Sequence, residues 1–495
     1  MALGLQEVES TLWDAANSLR GPVDPSDFKA YVFPLLFFKW ISDTWDMEHK
    51  QAVADFGDQV TEAEESDYHR FVIPDGCHWS DLIKATKTPG AKLQGILDRL
   101  QQANPEKMAG IFGDVAWGNT ERLPEPSLLN LIDTFNNLTL NPENVPNDVL
   151  GQAYEYLLRQ FADESGKKAG EFFTPRAVVR LLVNILDPQP GETVYDPACG
   201  SGGMLVETIG DVRDKGGDVR TLRLYGQEVN LTTSAIARMN LYLHDIEDFK
   251  ILRGDTLRDP KFRDPGGGIS HFDVVIANPP FSLKNWGAED WKTDPRAFCG
   301  VPPAGAADMA WVQHMVTSMA PGGGRVGVVM PLGALFRSGA EARIRECLVR
   351  ADRLEAVIGL PPNLFYSTTI PACLLVFRSV KAGEREGGVL FVDGSTRFVK
   401  GKNQNEMTPA DIEMISTAYR LGADPDGDGG VRARLVTVDE IEATGWDLNL
   451  TRYLKPAAAA ATDPKTAIAE MFAAQDAARE AEAHLAERLK AAGYA

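Results

Sequence analysis

The sequence predicts an α/β protein: a doubly wound, mostly parallel sheet, preceded by an α-helical amino-terminal domain and followed by a carboxyl-terminal helix. Three observations lead there. From about residue 170, short β-branched runs alternate with helical stretches. Before that point apolar residues recur at helical spacing, with no alternating strand. The connection between the last two expected strands is too short for a helical crossover, so one strand must run antiparallel.

Residues 1–150 read as a helical domain, with apolar periodicity over 5–19, 28–45, 93–100 and 128–138 and turn clusters such as Thr88-Pro89-Gly90 between them. Residues 151–400 read as the sheet domain. Strands are expected at 193–195, 222–225, 250–252, 272–277, 325–330, 355–358 and 373–377, with helices such as 234–243 and 307–319 between them. Residues 359–371 should make an antiparallel hairpin at the end of the sheet. Residues 401–455 read as an irregular extension with a Gly/Asp-rich loop at 422–430, and 456–495 as a linker and a strong helix former. Met471, Ala474, Ala478, Ala481 and Leu485 form a heptad-like seam, suited either to packing on its own domain or to docking on a partner.

Composition narrows the classes. A chain of 495 residues with 44% hydrophobic and 24% charged residues is globular and long enough for two to four units. No segment approaches the roughly 20 apolar residues of a membrane span. No basic-then-apolar leader pattern opens the chain, so a cytoplasmic location is expected. The five cysteines are scattered without a CxxC pair, and the seven histidines show no HxxxH spacing. Neither a disulfide framework nor a metal site is expected. The net charge of −20 argues against a grip on nucleic acid over the whole surface. A local cleft or a basic partner subunit remains open to it.

Val194-Tyr195-Asp196-Pro197-Ala198-Cys199-Gly200-Ser201-Gly202-Gly203-Met204 reads as a strand, a tight glycine loop and a helix start. Glycine lets the backbone pass close to a ligand that a Cβ would block. The loop is neither a dinucleotide GxGxxG nor a GK[ST] phosphate loop. Ser201 is equally a plain helix cap. Glu228, at the tip of the second strand, suits a ribose diol. Asp255, beyond the third, suits an adenine amino group. Each alone equals a solvated carboxylate, but three successive strand tips form one acidic rim.

Upstream, in Glu171-Phe172-Phe173-Thr174-Pro175-Arg176, Thr174 reads as an N-cap and Pro175 as the first helical residue. Phe172 and Phe173 make either a hydrophobic staple or one side of a small-molecule pocket.

Asn278-Pro279-Pro280-Phe281 follows the apolar run 272–277. Proline cannot donate to a sheet ladder, so the strand stops there and delivers Asn278 and Phe281 to the carboxyl edge. A planar, weakly nucleophilic amino group such as N6 of adenine fits these residues. The Asn278 side-chain oxygen and the Pro279 carbonyl would accept its two N–H bonds, a positioning and electrostatic effect. Phe281 would stack on a base, which must leave the duplex to be reached.

With these motifs in place, the sequence resembles the modification subunits of type I restriction–modification systems over nearly the whole chain. Residues 311–315, 331–337 and 358–366 add to the likeness. The resemblance implies a Rossmann-like, S-adenosyl-L-methionine-dependent methyltransferase sheet with an antiparallel closing strand, and N6 of adenine in DNA as acceptor. It makes Asn278, Pro279, Pro280 and Phe281 the catalytic tetrad. It makes residues 171–176, Ser201, Gly202, Gly203 and Glu228 cofactor contacts. It also implies a separate specificity subunit, with two modification subunits to one, and an endonuclease subunit in the restricting complex. No target-recognition domain of normal size is evident, which agrees with sequence readout supplied by another chain. Glutamine-modifying protein methyltransferases share the Asn-Pro-Pro-aromatic pattern, but the long helical front weighs against them.

Overall fold

The computed structural model describes residues 3–57, 61–84, 88–165, 174–365, 370–402, 404–427, 430–454 and 464–491. The chain forms two compact units, Met1–Leu450 and Thr451–Ala495. The second contains the helix Pro464–Ala491.

The first unit begins with helices. Leu5–Asn17, Phe28–Phe56, Pro89–Ala103, Glu125–Asn136 and Asn147–Ser165 are the main ones. Their apolar faces meet in one core that includes Phe33, Phe37, Phe38, Leu97, Leu131 and Tyr154.

The sheet is built from β1 (Thr193–Asp196), β2 (Arg223–Glu228), β3 (Phe249–Arg253), β4 (Val274–Ala277), β5 (Arg325–Pro331), β6 (Leu354–Gly359), β7 (Ala372–Arg378) and β8 (Gly388–Asp393). β9 (Val399–Lys400) and β10 (Asn405–Glu406) pair separately, and β11 (Arg432–Thr437) returns to the main sheet. Its order is β11-β8-β6-β7-β5-β4-β1-β2-β3. β4 and β5 are wholly buried, and apolar apart from Arg325 at the start of β5, as a sheet covered on both faces requires.

Two features of the sheet region differ from the sequence expectation. β7 is antiparallel, but it lies between β5 and β6 rather than at the end of the sheet. The chain beyond 380 is also regular: β8, the helix Pro409–Leu421 and β11 extend the sheet past the expected boundary at 400. Ile412, Ile415 and Ala418 bury one face of that helix against the sheet core, a pairing decided by tertiary contact rather than local pattern.

The helix Leu231–Leu243 joins the two cores. Ala237 and Leu241 belong to the sheet core, whereas Ile236, Met239 and Tyr242 belong to the helical one. Tyr154 Oη donates to the Ile236 carbonyl at 3.0 Å, and Gly151 lies so close to His244 that a Cβ there would be 2.5 Å from the imidazole.

A disulfide joins Cys299 to Cys347, contrary to the expectation from cysteine spacing. The loop after β4 brings Cys299 onto the helix Ala340–Arg350, 48 residues away in sequence. Among the described residues no helix is long and apolar enough to cross a membrane.

Candidate active site

β1 ends at Asp196, which is buried, and its Oδ1 accepts the Ala198 N–H at 2.9 Å. The chain then turns through Gly200 (φ 53°) and Gly202 (φ 81°), left-handed conformations that glycine adopts without strain. The turn rests on β2: a Cβ at Gly226 would be 2.9 Å from the Cys199 sulfur. Glu228 holds the turn from the side, its Oε2 accepting the Gly200 N–H at 3.1 Å and its Oε1 the Asn230 N–H at 2.9 Å. Asp255 Oδ1 accepts the Leu257 and Arg258 N–H groups at 3.1 and 3.2 Å, and its Oδ2 pairs with Arg258 at 3.2 Å.

Two adjoining cavities open at this edge. The larger, about 290 Å³, is lined by Gly200, Ser201, Glu228, Asp255, Asn278 and Pro280 together with Trp311. The smaller, about 150 Å³, is lined by Thr174, Arg176, Asp196, Cys199, Gly200, Ser201, Gly203 and Asn278 together with Asn240. Gly200, Ser201 and Asn278 face both.

Asn278 Nδ2 donates to Thr174 Oγ1 at 2.9 Å. The Asn278 Oδ1 is buried and has no hydrogen-bond partner among the described residues. The Thr174 hydroxyl thus holds the carboxamide instead of capping the helix Arg176–Leu186, whose N-cap position is Pro175. Phe281 packs edge-on against Phe365, with ring centroids 6.2 Å apart. Pro175, Gly202, Pro279 and Phe281 line neither cavity. Glu171, Phe172 and Phe173 lie outside the described residues.

Electrostatics distinguish the smaller cavity. Burial pushes the Asp196 carboxyl up; the Ala198 N–H opposes this and the Glu228 charge adds to it, leaving its pKa at about 8. Arg176 is engaged, pairing with Glu207 at 3.1 Å, and Arg180 reaches the same carboxylate at 2.8 Å.

Sequence reasoning missed several residues. Lys29, Phe33 and Phe161 of the helical region wall the larger cavity, Glu155 and Arg159 wall the smaller, and Leu158 touches both. Asp308 anchors the turn after the tetrad: its Oδ1 accepts the Ser282 N–H at 2.7 Å and its Oδ2 pairs with Arg337 at 2.5 Å. Arg296, almost fully buried, donates to the Thr256 and Leu257 carbonyls at 2.9 and 2.7 Å, so the loop after β4 braces the turn that carries Asp255. Trp311 stands in the 311–315 segment quoted for the family resemblance, and Asn240 carried no signal in the sequence.

Comparison with known proteins identifies the class. Residues 145–461 match the family model described as N-6 DNA Methylase, and residues 8–135 match the HsdM N-terminal domain. The chain belongs to the N-6 DNA methylase family and is an adenine-specific DNA methyltransferase. Its relatives narrow the class further. It is 32% identical to the methylase subunit of the type I restriction enzyme HindI of Haemophilus influenzae, over 76% of this chain and 81% of that protein. It is 30% identical to the MpnII methylase subunit of Mycoplasma pneumoniae, over 90% and 89%. The crystal structure of a type I restriction-modification system methyltransferase subunit from Streptococcus thermophilus superposes with a TM-score of 0.79 at 29% identity, covering 92% of this chain and 100% of that one. Within the family, this chain is a methylation subunit of the type I restriction–modification kind.

Proposed function

We propose that the two cavities bind S-adenosyl-L-methionine, that a flipped-out adenine enters beside them at Asn278, and that Asn278, Pro279, Pro280 and Phe281 direct methyl transfer to N6 of that base. The observation that carries the reading is Asn278: its amide nitrogen is held by Thr174, its Oδ1 has no partner among the described residues, and the residue lines both cavities. An unmade hydrogen bond at a buried acceptor costs about 1–3 kcal/mol, so the site favours a ligand that brings donors. Among the described residues Trp311 Nε1 and Asn240 Oδ1 also have no partner, and Trp311 lines the larger cavity and Asn240 the smaller.

The residues fit the cofactor. Glu228 and Asp255 suit a ribose diol and an adenine amino group in the larger cavity, and Asp196 suits an ammonium in the smaller. Thr174, Pro175, Arg176, Cys199, Gly200, Ser201, Gly202 and Gly203 form the surrounding turns, and residues 171–173 complete the motif. When bound, the cofactor supplies an electrophilic methyl group. Asn278 Oδ1 and the Pro279 carbonyl then hold the two N6–H bonds of adenine. They favour a pyramidal nitrogen whose lone pair points away from the ring, and Phe281 stacks on the base. The transfer would break the sulfonium–methyl bond and release the neutral thioether S-adenosylhomocysteine. It would leave an acidic methylated nitrogen whose extra proton passes to water, so no general base with a matched pKa is required.

The same reading assigns the DNA target to a separate specificity subunit, with two modification subunits to one, and restriction to an added endonuclease subunit, all in the cytoplasm. The net charge of −20 supports borrowed DNA readout. The helix Pro464–Ala491, with Ile468, Met471, Phe472, Leu485 and Leu489 exposed, is assigned to docking on the specificity subunit.

Transfer of labelled methyl groups from the cofactor to DNA, with and without a co-expressed specificity subunit, tests this. Asn278→Ala should lower transfer at least ~100-fold, the scale of a lost transition-state hydrogen bond, while cofactor binding persists. Full sequence-specific methylation by the isolated chain would refute the borrowed address.

A further inference from the structure

We infer that Asn240 is a cofactor-binding residue, its Oδ1 accepting a hydrogen bond from the α-ammonium group of S-adenosylmethionine. The inference rests on the reading of the cavities above and adds a residue to it that no motif marks.

Asn240 lies on the helix Leu231–Leu243, between the sheet core and the helical core, and is wholly buried. Its neighbours on that helix are apolar partners of one core or the other. A buried amide in such a place needs all its hydrogen bonds. One half is satisfied: Nδ2 donates to the Ser201 carbonyl at 3.0 Å. That bond also fixes which end of the amide is which. The other half, Oδ1, is buried and has no partner among the described residues.

Asn240 is one of the residues that line the smaller cavity. The same wall carries Asp196, whose carboxyl is desolvated, and the Glu155 and Glu207 carboxylates. Arg159 and Arg176 also line it, so three carboxylates face two guanidinium groups. Arg180 also pairs with Glu207, and burial favours the uncharged form of Asp196, so the lining carries no fixed excess of charge; a bound ammonium would ionise Asp196 and be paired by it. The cofactor's other donors, its ribose hydroxyls and adenine amino group, have Glu228 and Asp255 in the larger cavity. The ammonium is the donor left for a neutral acceptor beside Asp196. Through Ser201 the same side chain fixes the glycine turn, so its two halves have separable roles.

The test is calorimetric titration of the full chain with S-adenosylmethionine and with 5′-methylthioadenosine, which lacks the amino-acid end. Asn240→Leu removes both the acceptor and the bond to Ser201. Asn240→Asp keeps an acceptor while giving up the amide donor. The expected result is about 10-fold weaker binding of S-adenosylmethionine by Asn240→Leu, the scale of one hydrogen bond to a charged group. Its affinity for methylthioadenosine should stay within about 2-fold of wild type, and Asn240→Asp should retain most of the S-adenosylmethionine affinity. Parallel losses for both ligands in both variants would make Asn240 a brace of the turn and overturn the assignment. Unchanged affinities would also overturn it, leaving Oδ1 to a water. A wild-type chain that binds neither ligand would sink the reading of the cavities itself, and the assignment with it.

Discussion

Glu355 and Asp196 stand on strands of the same sheet, are almost equally buried, and are treated in opposite ways. Glu355, near the start of β6, accepts from Arg378 Nε at 2.9 Å, Tyr419 Oη at 2.6 Å and Arg385 Nη1 at 3.1 Å. Burial pushes its carboxyl up, but the charge of Arg378, the hydrogen bonds from Tyr419 and Arg378, and the charge of Arg385 bring it below the ordinary value. Asp196, at the tip of β1, has one backbone N–H, the repulsion of Glu228, and a pKa of about 8. Where a carboxylate serves the fold, the chain supplies its cations. At Asp196, which the proposed reading gives to a ligand, the chain supplies no cation among the described residues.

The contrast can be broken from either side. The largest effect should come from Glu355→Ala, which leaves Arg378 and Arg385 without their shared anion. Urea denaturation should show a loss of about 3–5 kcal/mol, as for breaking a buried ion pair, with transfer activity per folded molecule little changed. Asp196→Asn should do the reverse. Cofactor affinity should fall by about 1.5–3 kcal/mol, the worth of a hydrogen bond to a charged group, while the melting temperature stays level or rises.

The sign of that second effect follows from linkage. The unfolded chain loses the Asp196 proton near the ordinary value of 3.8, whereas the folded chain holds it to about 8. The folded state is therefore increasingly disfavoured as pH rises between those values, and the asparagine removes that penalty at neutral pH. For Glu355 the order is inverted. Its stabilisation is present above the ordinary value of 4.5 and is lost as pH falls through its lowered folded value.

The smallest effect sharpens the comparison. A bound cation favours ionised Asp196, so cofactor affinity should climb with pH up to about 8 and then level. The climb should be at most about 10-fold per pH unit, and should flatten in the Asp196→Asn variant. A wild-type affinity independent of pH from 6 to 9 would mean that Asp196 is not where the cation sits.

How much of this was legible in the sequence divides along the same line. The strand tips were legible because strand, turn and acid are adjacent in the chain. Asp196, Glu228, Asp255 and Asn278 could each be placed from a run of apolar residues that ends abruptly. The fold class followed from the same alternation, and the antiparallel strand from a short connection. The position of β7 between β5 and β6 was not legible, because it depends on pairing rather than on length. Nor was the membership of β8 and β11, whose partners are supplied by tertiary packing. Thr174 looked like a helix cap because a cap is the local use of threonine before proline. Its actual partner, Asn278, lies 104 residues away. The Cys299–Cys347 bridge and the buried Arg296 are hidden for the same reason, as contacts between segments that nothing in the sequence ties together.

The helix Asn147–Ser165 supplies Leu158 to both cavities and Glu155, Arg159 and Phe161 to one or the other. A chain cut to begin at residue 174 would keep every strand and every motif residue described at the carboxyl edge, yet one side of each cavity would be solvent. The catalytic sheet is therefore not a cassette that can be lifted out or swapped by its motifs alone. Any transplant has to carry the helical partner that shares its walls.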